Sequence, residues 1–416
     1  MSKIIINSSQ PLIGDVEISG SKNSALPIIA ACLLTKGTNI LENIPDISDI
    51  KVMCEIMSSL GCDIKKEKNC LIINTDNSSP NTLPYELTGK IRASFLVAGP
   101  LLARFGNAKI ALPGGCTIGT RPVDLHLKGF LSLGCDYEIN DGYVVISGKK
   151  ICGKNIYLDF PSVGATQNIM MASVLANGTT VIENSASEPE IYDLAEFLNK
   201  CGADIKGAGT DKIVINGVDE LSASSHRIIP DRIEAGTFMA ATVATGGKVK
   251  LKNIDSSHLS SVTSKLTEIG ARVCEFSNEI SVICDAVTKP TDIKTLPFPG
   301  FPTDMQSQIA ALLCSVQGTS VITETIFENR FMYVPELIRM NADIKVDGRI
   351  AVINGNSKLV GAEVNATDLR AGAALVVAGL SAKGRTIINN AEYLDRGYSD
   401  FTKKLSLLCA DVYIEE

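Results

Sequence analysis

The stretch from Ala111 to Asp124 reads ALPGGCTIGTRPVD. It sets a thiol, Cys116, directly after two glycines and shortly before the guanidinium of Arg121. Buried cysteines usually sit among apolar neighbours in helices and strands; this one sits where the backbone is most permissive. A cation beside a thiol favours the thiolate, and such a group serves as nucleophile or proton carrier. The same residues would also make an ordinary turn with a spectator cysteine.

Three other stretches bear on chemistry. Lys22, in ISGSKNSALP, stands just before an apolar run and so near a helix N-terminus, where anions are favoured. The segment PSVGA begins another helix and offers backbone N–H groups there. Asp304, in FPTDMQ, is a carboxylate suited to proton abstraction. It is equally suited to capping the helix that follows. Locally, both readings stay open.

The chain that must position these groups has 416 residues, 45% of them apolar and 20% charged, with a net charge of -7. That length exceeds one hydrophobic core and points to two domains. No long Lys/Arg run stands out, so nucleic acid is not an expected partner. The longest apolar runs, such as residues 371–382, fall short of the roughly 18–20 residues of a membrane span. No export signal is read at the N-terminus, so no membrane association and a cytoplasmic location are expected. The twelve cysteines are scattered through apolar segments without a CxxC pair, which suits reduced thiols. Only His126, His226 and His258 supply imidazoles, so no metal is expected.

The chain repeats itself. A glycine follows each apolar helical segment in TKGTNILEN, RFGNAKIAL, ANGTTVIEN, TGGKVKLKN, VQGTSVITE and AKGRTIINN, at Gly37, Gly106, Gly178, Gly247, Gly318 and Gly384. A second marker, SLGCDI, SLGCDY, KCGADI, EIGARV, RMNADI and LLCADV, falls at Gly61, Gly134, Gly202, Gly270, Asn341 and Cys409. Both keep a period of about 70 residues. Each unit reads as an apolar helix, a β-branched strand, an amphipathic helix such as IYDLAEFLNK, and two closing strands. Three units around a shared axis would bury the most apolar helices. The period alone also allows a solenoid.

The segments ISGSKNSALP, PGGCTIGTRPVDLH, PSVGATQNIMMASVLANGTTVIENSASEPEI, PDRIEAGTFM, FPTDMQSQ, ETIFENRF, ATDLRAGAALV and DRGY span essentially the whole chain. On them the chain resembles the enolpyruvyl transferases, on the branch whose acceptor is UDP-N-acetylglucosamine. The resemblance implies an α/β fold of two inside-out α/β barrel domains, each of three repeats. It implies a domain of residues 22–229 carrying the Cys116 loop, and a discontinuous domain of residues 1–21 and 230–416. The active site is expected in the cleft between them.

The implied reaction moves the enolpyruvyl group of phosphoenolpyruvate to the 3-hydroxyl of UDP-N-acetylglucosamine and releases phosphate, the first committed step of bacterial peptidoglycan synthesis. No cofactor is implied. Phosphoenolpyruvate needs fixed cations; the resemblance assigns Lys22, Asn23, Arg121 and Arg396 to it, with Arg330 and Arg370 in support. It makes Cys116 the general acid and the thiol alkylated by fosfomycin, and Asp304 the base for the hydroxyl. Lys22 and Arg396 also count as catalytic. The acceptor is expected on Arg92, Arg121, Pro122, Val123, Asp124, Leu125, Phe160, Pro161, Ser162, Val163, Asp304 and Ile326. Where some relatives carry a lysine this chain has Phe160, so backbone contacts are expected there. Glu188, Asp231 and Asp368 lie in matching motifs without an assigned step. The glycines Gly114, Gly115 and Gly119 would let the loop act as a lid.

Two rivals share the architecture. The sister synthase of 5-enolpyruvylshikimate 3-phosphate has the GSK start but does not use the loop cysteine. A silent sugar-nucleotide-binding protein would lack Cys116, Asp304 or Arg396, and all three are present.

Overall fold

The computed structural model describes residues 2–7, 10–83, 85–112, 123–285, 289–355 and 358–415. Cys116, Arg121 and Pro122 lie outside the described residues, as do Gly114, Gly115 and Gly119. The described chain divides into two compact units: residues 2–19 with 230–415, and residues 20–112 with 123–229.

Each unit is built on three helices that are apolar almost all round. In the first these are Arg232–Thr245, Gln306–Leu313 and Leu369–Ser381, which pack on one another. In the second they are Lys22–Ala31, Ala98–Phe105 and Val163–Ser173. Nearly every residue of these helices is buried. A helix without a polar face has no stable place at a surface, so it takes the centre.

Six sheets of three or four strands accompany them, with the two-stranded pair Thr35–Lys36 and Leu221–Ser222 as a seventh, among the described residues. Five share one strand order: a parallel edge strand, the strand after the repeat glycine, then two further antiparallel strands. Thus Ile13–Glu17 runs parallel to Lys248–Lys252, Ile293–Lys294 to Gly318–Thr323, Glu363–Asn365 to Thr386–Asn389, Ser225–Arg227 to Thr38–Glu42, and Asn155–Tyr157 to Thr179–Glu183. The sixth, around Asn107–Ala111, has three strands among the described residues. The N-terminal strand Lys3–Ile6 lies antiparallel between Thr386–Asn389 and Val412–Glu415, within the last sheet.

The repeat markers have a conformational cause. All six residues of the second marker have positive φ: Gly61, Gly134, Gly202, Gly270, Asn341 and Cys409. The site demands left-handed backbone between helix and hairpin, which glycine adopts at least cost. A third repeated position, not recognised from the sequence, ends the central strands. Asn43, Asn184, Asn253 and Asn390 all have positive φ there. Each donates its side-chain amide to a carbonyl just past the parallel edge strand: Ile228, Leu158, Ile18 and Ala366. In the fifth repeat Glu324 stands at this place.

Candidate active site

In the first unit, Asp304 occupies the short 3-10 turn Thr303–Met305 that leads into Gln306–Leu313. The N-cap position of that helix falls on Met305, not on Asp304. The Asp304 carboxylate bridges two arginines. Nη2 of Arg330 donates to Oδ1 at 2.9 Å, and Nη2 of Arg370 donates to Oδ2 at 3.0 Å. Both partners lie far along the chain from FPTDMQ, 26 and 66 positions away.

Both guanidinium side chains are nearly inaccessible, at 3% and 6%, while the Asp304 side chain is 27% exposed. Arg330 is held further by the Thr303 carbonyl, to which Nε and Nη2 donate at 3.3 and 3.2 Å. Arg370 lies in the first turn of Leu369–Ser381, which Asp368 caps through the N–H groups of Arg370 and Ala371. Its guanidinium lies 5.7 Å over the Tyr398 ring, and Nη1 donates to the phenol at 3.3 Å. Burial alone would lower the Arg370 pKa; the charge of Asp304, with Tyr398 and Asp231, outweighs it and raises the value. Burial likewise raises the Tyr398 phenol, so it stays neutral.

Two guanidiniums against one carboxylate leave a net positive charge, which suits an anionic ligand. The Asp304 side chain is 27% exposed, and an accessible carboxylate can take a proton from a hydroxyl. Arg396 closes the 3-10 helix Ala391–Arg396, just before Tyr398 in the chain.

Glu324, almost fully buried, organises the adjoining loops. It accepts from Thr295 and Thr303 hydroxyls at 2.9 Å each, and from the N–H groups of Ile326 and Phe327 at 2.8 and 3.1 Å. It thereby fixes both Thr303, next to Asp304, and Ile326. The sequence reading missed it; its departure from the asparagine of the other repeats was the available signal.

In the second unit, Lys22 is the first residue of its helix and pairs with Asp49 at 2.7 Å, with both side chains largely buried. Asn23 follows on the same turn. Asp49 belongs to the first turn of Ser48–Ser59 and was not singled out from the sequence. The helix start is tied down from below by Asp193. That buried carboxylate accepts from the Ser24 hydroxyl, from Nε2 of His226 at 2.8 Å and from the Ile229 N–H at 3.3 Å. Lys200 donates to Nδ1 of His226 at 3.2 Å, which fixes the imidazole tautomer with its proton toward Asp193.

Arg92 opens the 3-10 helix Arg92–Val97. Val123 is buried ahead of the helix Asp124–Ser132, whose first turn holds Asp124 and Leu125. Phe160 is exposed, and its carbonyl accepts from the Ser162 N–H at 2.7 Å. Pro161 follows it, and Ser162 caps Val163–Ser173 by accepting from the Ala165 N–H. The segment is therefore a capped helix start, as its sequence reads.

The described cysteines are all free thiols. Burial pushes Cys62, Cys201 and Cys314 up to about 12, which leaves them unreactive at neutral pH. Among the described residues no group of His, Cys, Asp and Glu is arranged to hold a metal ion, and no helix is long and apolar enough to cross a membrane.

The chain matches the family model described as EPSP synthase (3-phosphoshikimate 1-carboxyvinyltransferase) over residues 6–405. It is 57% identical over 412 residues to UDP-N-acetylglucosamine 1-carboxyvinyltransferase 1 of Caldanaerobacter subterraneus subsp. tengcongensis, covering 99% of each chain. It is 53% identical to UDP-N-acetylglucosamine 1-carboxyvinyltransferase 2 of Clostridium tetani, over 99% of this chain and 100% of that one. Among solved structures, the enolpyruvyl transferase NikO from Streptomyces tendae aligns with a TM-score of 0.91 at 26% identity, covering 100% of this chain and 99% of that one. EPSP synthase from Acinetobacter baumannii aligns at 0.78 and 18% identity over the whole of both chains, a likeness of fold.

Proposed function

We propose, since the chain belongs to the EPSP synthase family and within it to the UDP-N-acetylglucosamine 1-carboxyvinyltransferases, that it transfers the enolpyruvyl group of phosphoenolpyruvate to the 3-hydroxyl of UDP-N-acetylglucosamine. Phosphate leaves, and the product enters peptidoglycan synthesis in the cytoplasm. We read each unit as an inside-out α/β barrel of three repeats; the three buried helices and the recurring sheet order support this.

The reaction is an addition followed by an elimination. Cys116 gives a proton to the methylene carbon of phosphoenolpyruvate. The 3-hydroxyl oxygen attacks the adjacent carbon, and its proton passes to Asp304. Loss of a proton from the new methyl group and departure of phosphate restore the double bond. Lys22, Asn23, Arg121 and Arg396 hold the phosphate and carboxylate, while Arg330 and Arg370 fix the base. Arg92, residues 121–125, residues 160–163 and Ile326 hold the sugar nucleotide. The proposed roles fall on residues of both units. Fosfomycin, by alkylating Cys116, stops it.

The observation that carries the reading is the Asp304 carboxylate: bound by two buried guanidiniums and still accessible. The test is turnover in deuterium oxide. The vinyl carbon of the product should acquire deuterium in the wild type, and Cys116→Ala should form no labelled product. Transfer by Cys116→Ala with full labelling would remove the thiol from the mechanism.

A further inference from the structure

A buried polar node joins the three central helices of the first unit. Thr237 of Arg232–Thr245, Gln308 of Gln306–Leu313 and Arg370 of Leu369–Ser381 meet at the phenol of Tyr398. Each helix comes from a different repeat, and Tyr398 follows the 3-10 helix Ala391–Arg396. All four residues are buried. The Tyr398 ring stacks on Phe401 with 4.5 Å between centroids, which fixes its plane. Apolar groups of the same shape would hold three such helices together at little cost. What a polar node adds is direction, because a guanidinium is aimed only by an acceptor.

One arrangement of protons satisfies every contact in the node. The Thr237 hydroxyl lies 2.8 Å from the Ile233 carbonyl and 2.9 Å from the phenol oxygen. A carbonyl only accepts, so the Thr237 proton goes to Ile233 and the phenol proton goes to Thr237. Nη1 of Arg370 donates to the phenol oxygen at 3.3 Å. Nε2 of Gln308 donates to the phenol oxygen at 3.3 Å and to Oγ1 of Thr237 at 3.2 Å. Both oxygens have then given their proton and filled their lone pairs. The Gln308 carbonyl oxygen accepts from the Ser307 hydroxyl at 2.9 Å, which agrees with this orientation of the amide. The phenol therefore offers Arg370 a lone pair and never its proton. Among the described residues, the guanidinium has two acceptors, this oxygen and Asp304.

We propose that Tyr398 is a positioning residue for the transfer reaction: its phenol oxygen, with the proton committed to Thr237, aims the Arg370 guanidinium, which holds the Asp304 carboxylate where it receives the acceptor's hydroxyl proton. This rests on the reading of Asp304 as the base. The two arginines on Asp304 are aimed in different ways. Arg330 is set by the Thr303 carbonyl, next to Asp304 itself. Arg370 is set by a side chain that Thr237 and Gln308 orient from two other repeats. Without the phenol oxygen, Nη1 loses its acceptor and the Arg370–Asp304 pair can turn. A base acts in the transition state, so its misplacement lowers kcat and leaves substrate affinity alone.

Tyr398→Phe removes the oxygen and keeps the ring. Phosphate release is measured with phosphoenolpyruvate and UDP-N-acetylglucosamine varied in turn, with thermal unfolding in parallel. The expected result is a kcat lowered roughly 10-fold, with both KM values within about 3-fold of wild type. In an Asp304→Asn background the same change should cost less than about 3-fold, because the group it positions is gone. Thr237→Val, which removes the acceptor of the phenol proton, should behave like Tyr398→Phe. Thr237→Ser keeps that acceptor and should stay within about 3-fold of wild type. If Tyr398→Phe does not fold, the Thr237 pair decides by the same criterion. An unchanged kcat in folded Tyr398→Phe overturns the proposal. So does a raised KM for phosphoenolpyruvate alone, since the phenol would then act through Arg396. A full loss that persists in the Asp304→Asn background overturns it too. Wild-type kcat in Asp304→Asn itself would instead remove the base reading, and the proposal with it.

Discussion

The guanidinium of Arg370 meets the carboxylate of Asp304 at 3.0 Å, and the two residues stand 66 positions apart in the chain, close to one repeat. Each sits at the start of a central helix of its own repeat. The repeated architecture thus brings a carboxylate and its holder together from equivalent places. Asp304→Asn keeps the shape and removes the charge. It should lower kcat by about 10²-fold or more, and should lower stability by about 2–3 kcal/mol by leaving two buried cations without their anion. Single-turnover kinetics and urea unfolding measure the two effects separately.

Lys22 is held by Asp49 in a largely buried pair. An ammonium is a point charge on a flexible stem, so its placement depends on what holds it. Asp49→Asn should raise the KM for phosphoenolpyruvate roughly 10-fold and leave the affinity for UDP-N-acetylglucosamine unchanged. Steady-state kinetics with each substrate varied in turn checks this. An equal loss for both substrates would mean the pair supports the unit rather than the ligand.

The neutral His126 has a cost in acid. Its folded value is about 3 against 6.5 for a free imidazole. Between these values the unfolded chain binds a proton that the folded chain refuses, so stability rises with pH there. The contribution is complete above about 6.5 and is lost as the pH falls toward about 3, by roughly 4 kcal/mol. His126→Asn removes it, so its acid-unfolding midpoint should lie below that of the wild type. Circular dichroism across pH 3–7 reads the difference.

Cys409 carries a φ of 70° at a place where four other repeats have glycine. Left-handed backbone costs a side chain about 1–2 kcal/mol, of which glycine's greater unfolded freedom returns a part. Cys409→Gly should therefore stabilise the protein by about 0.5–1 kcal/mol. Asn341→Gly should gain less, because asparagine tolerates this conformation. Thermal unfolding of both variants tests the assignment of the repeat position.

The repeats were legible because a backbone constraint repeats with them. Gly61, Gly134, Gly202 and Gly270 announce a left-handed turn in any sequence, and spacing alone then locates Asn341 and Cys409. Lys22 and Asp304 were legible by type as candidates, from pieces of sequence that suit anion and proton chemistry, whereas Arg330 and Arg370 were reached only through the family resemblance. Their holders were not legible. Asp49, Asp193 and Glu324 look like ordinary charges on helices or at strand ends until the fold buries them against Lys22, His226 and Thr303. Asn168 was not singled out, and His126 was noted only as one of three imidazoles; the contact between them belongs to the fold. Asp304 shows the same limit from the other side. Its local sequence suited a helix cap, while the two arginines that hold it come from 26 and 66 positions along the chain, the second from the next repeat.

The most direct test of the central claim is release of inorganic phosphate from phosphoenolpyruvate, with UDP-N-acetylglucosamine or shikimate 3-phosphate as acceptor, by the wild type and Cys116→Ala. Release with the sugar nucleotide alone, abolished in the variant, is the expected result. Release with shikimate 3-phosphate, or with neither acceptor, would contradict it.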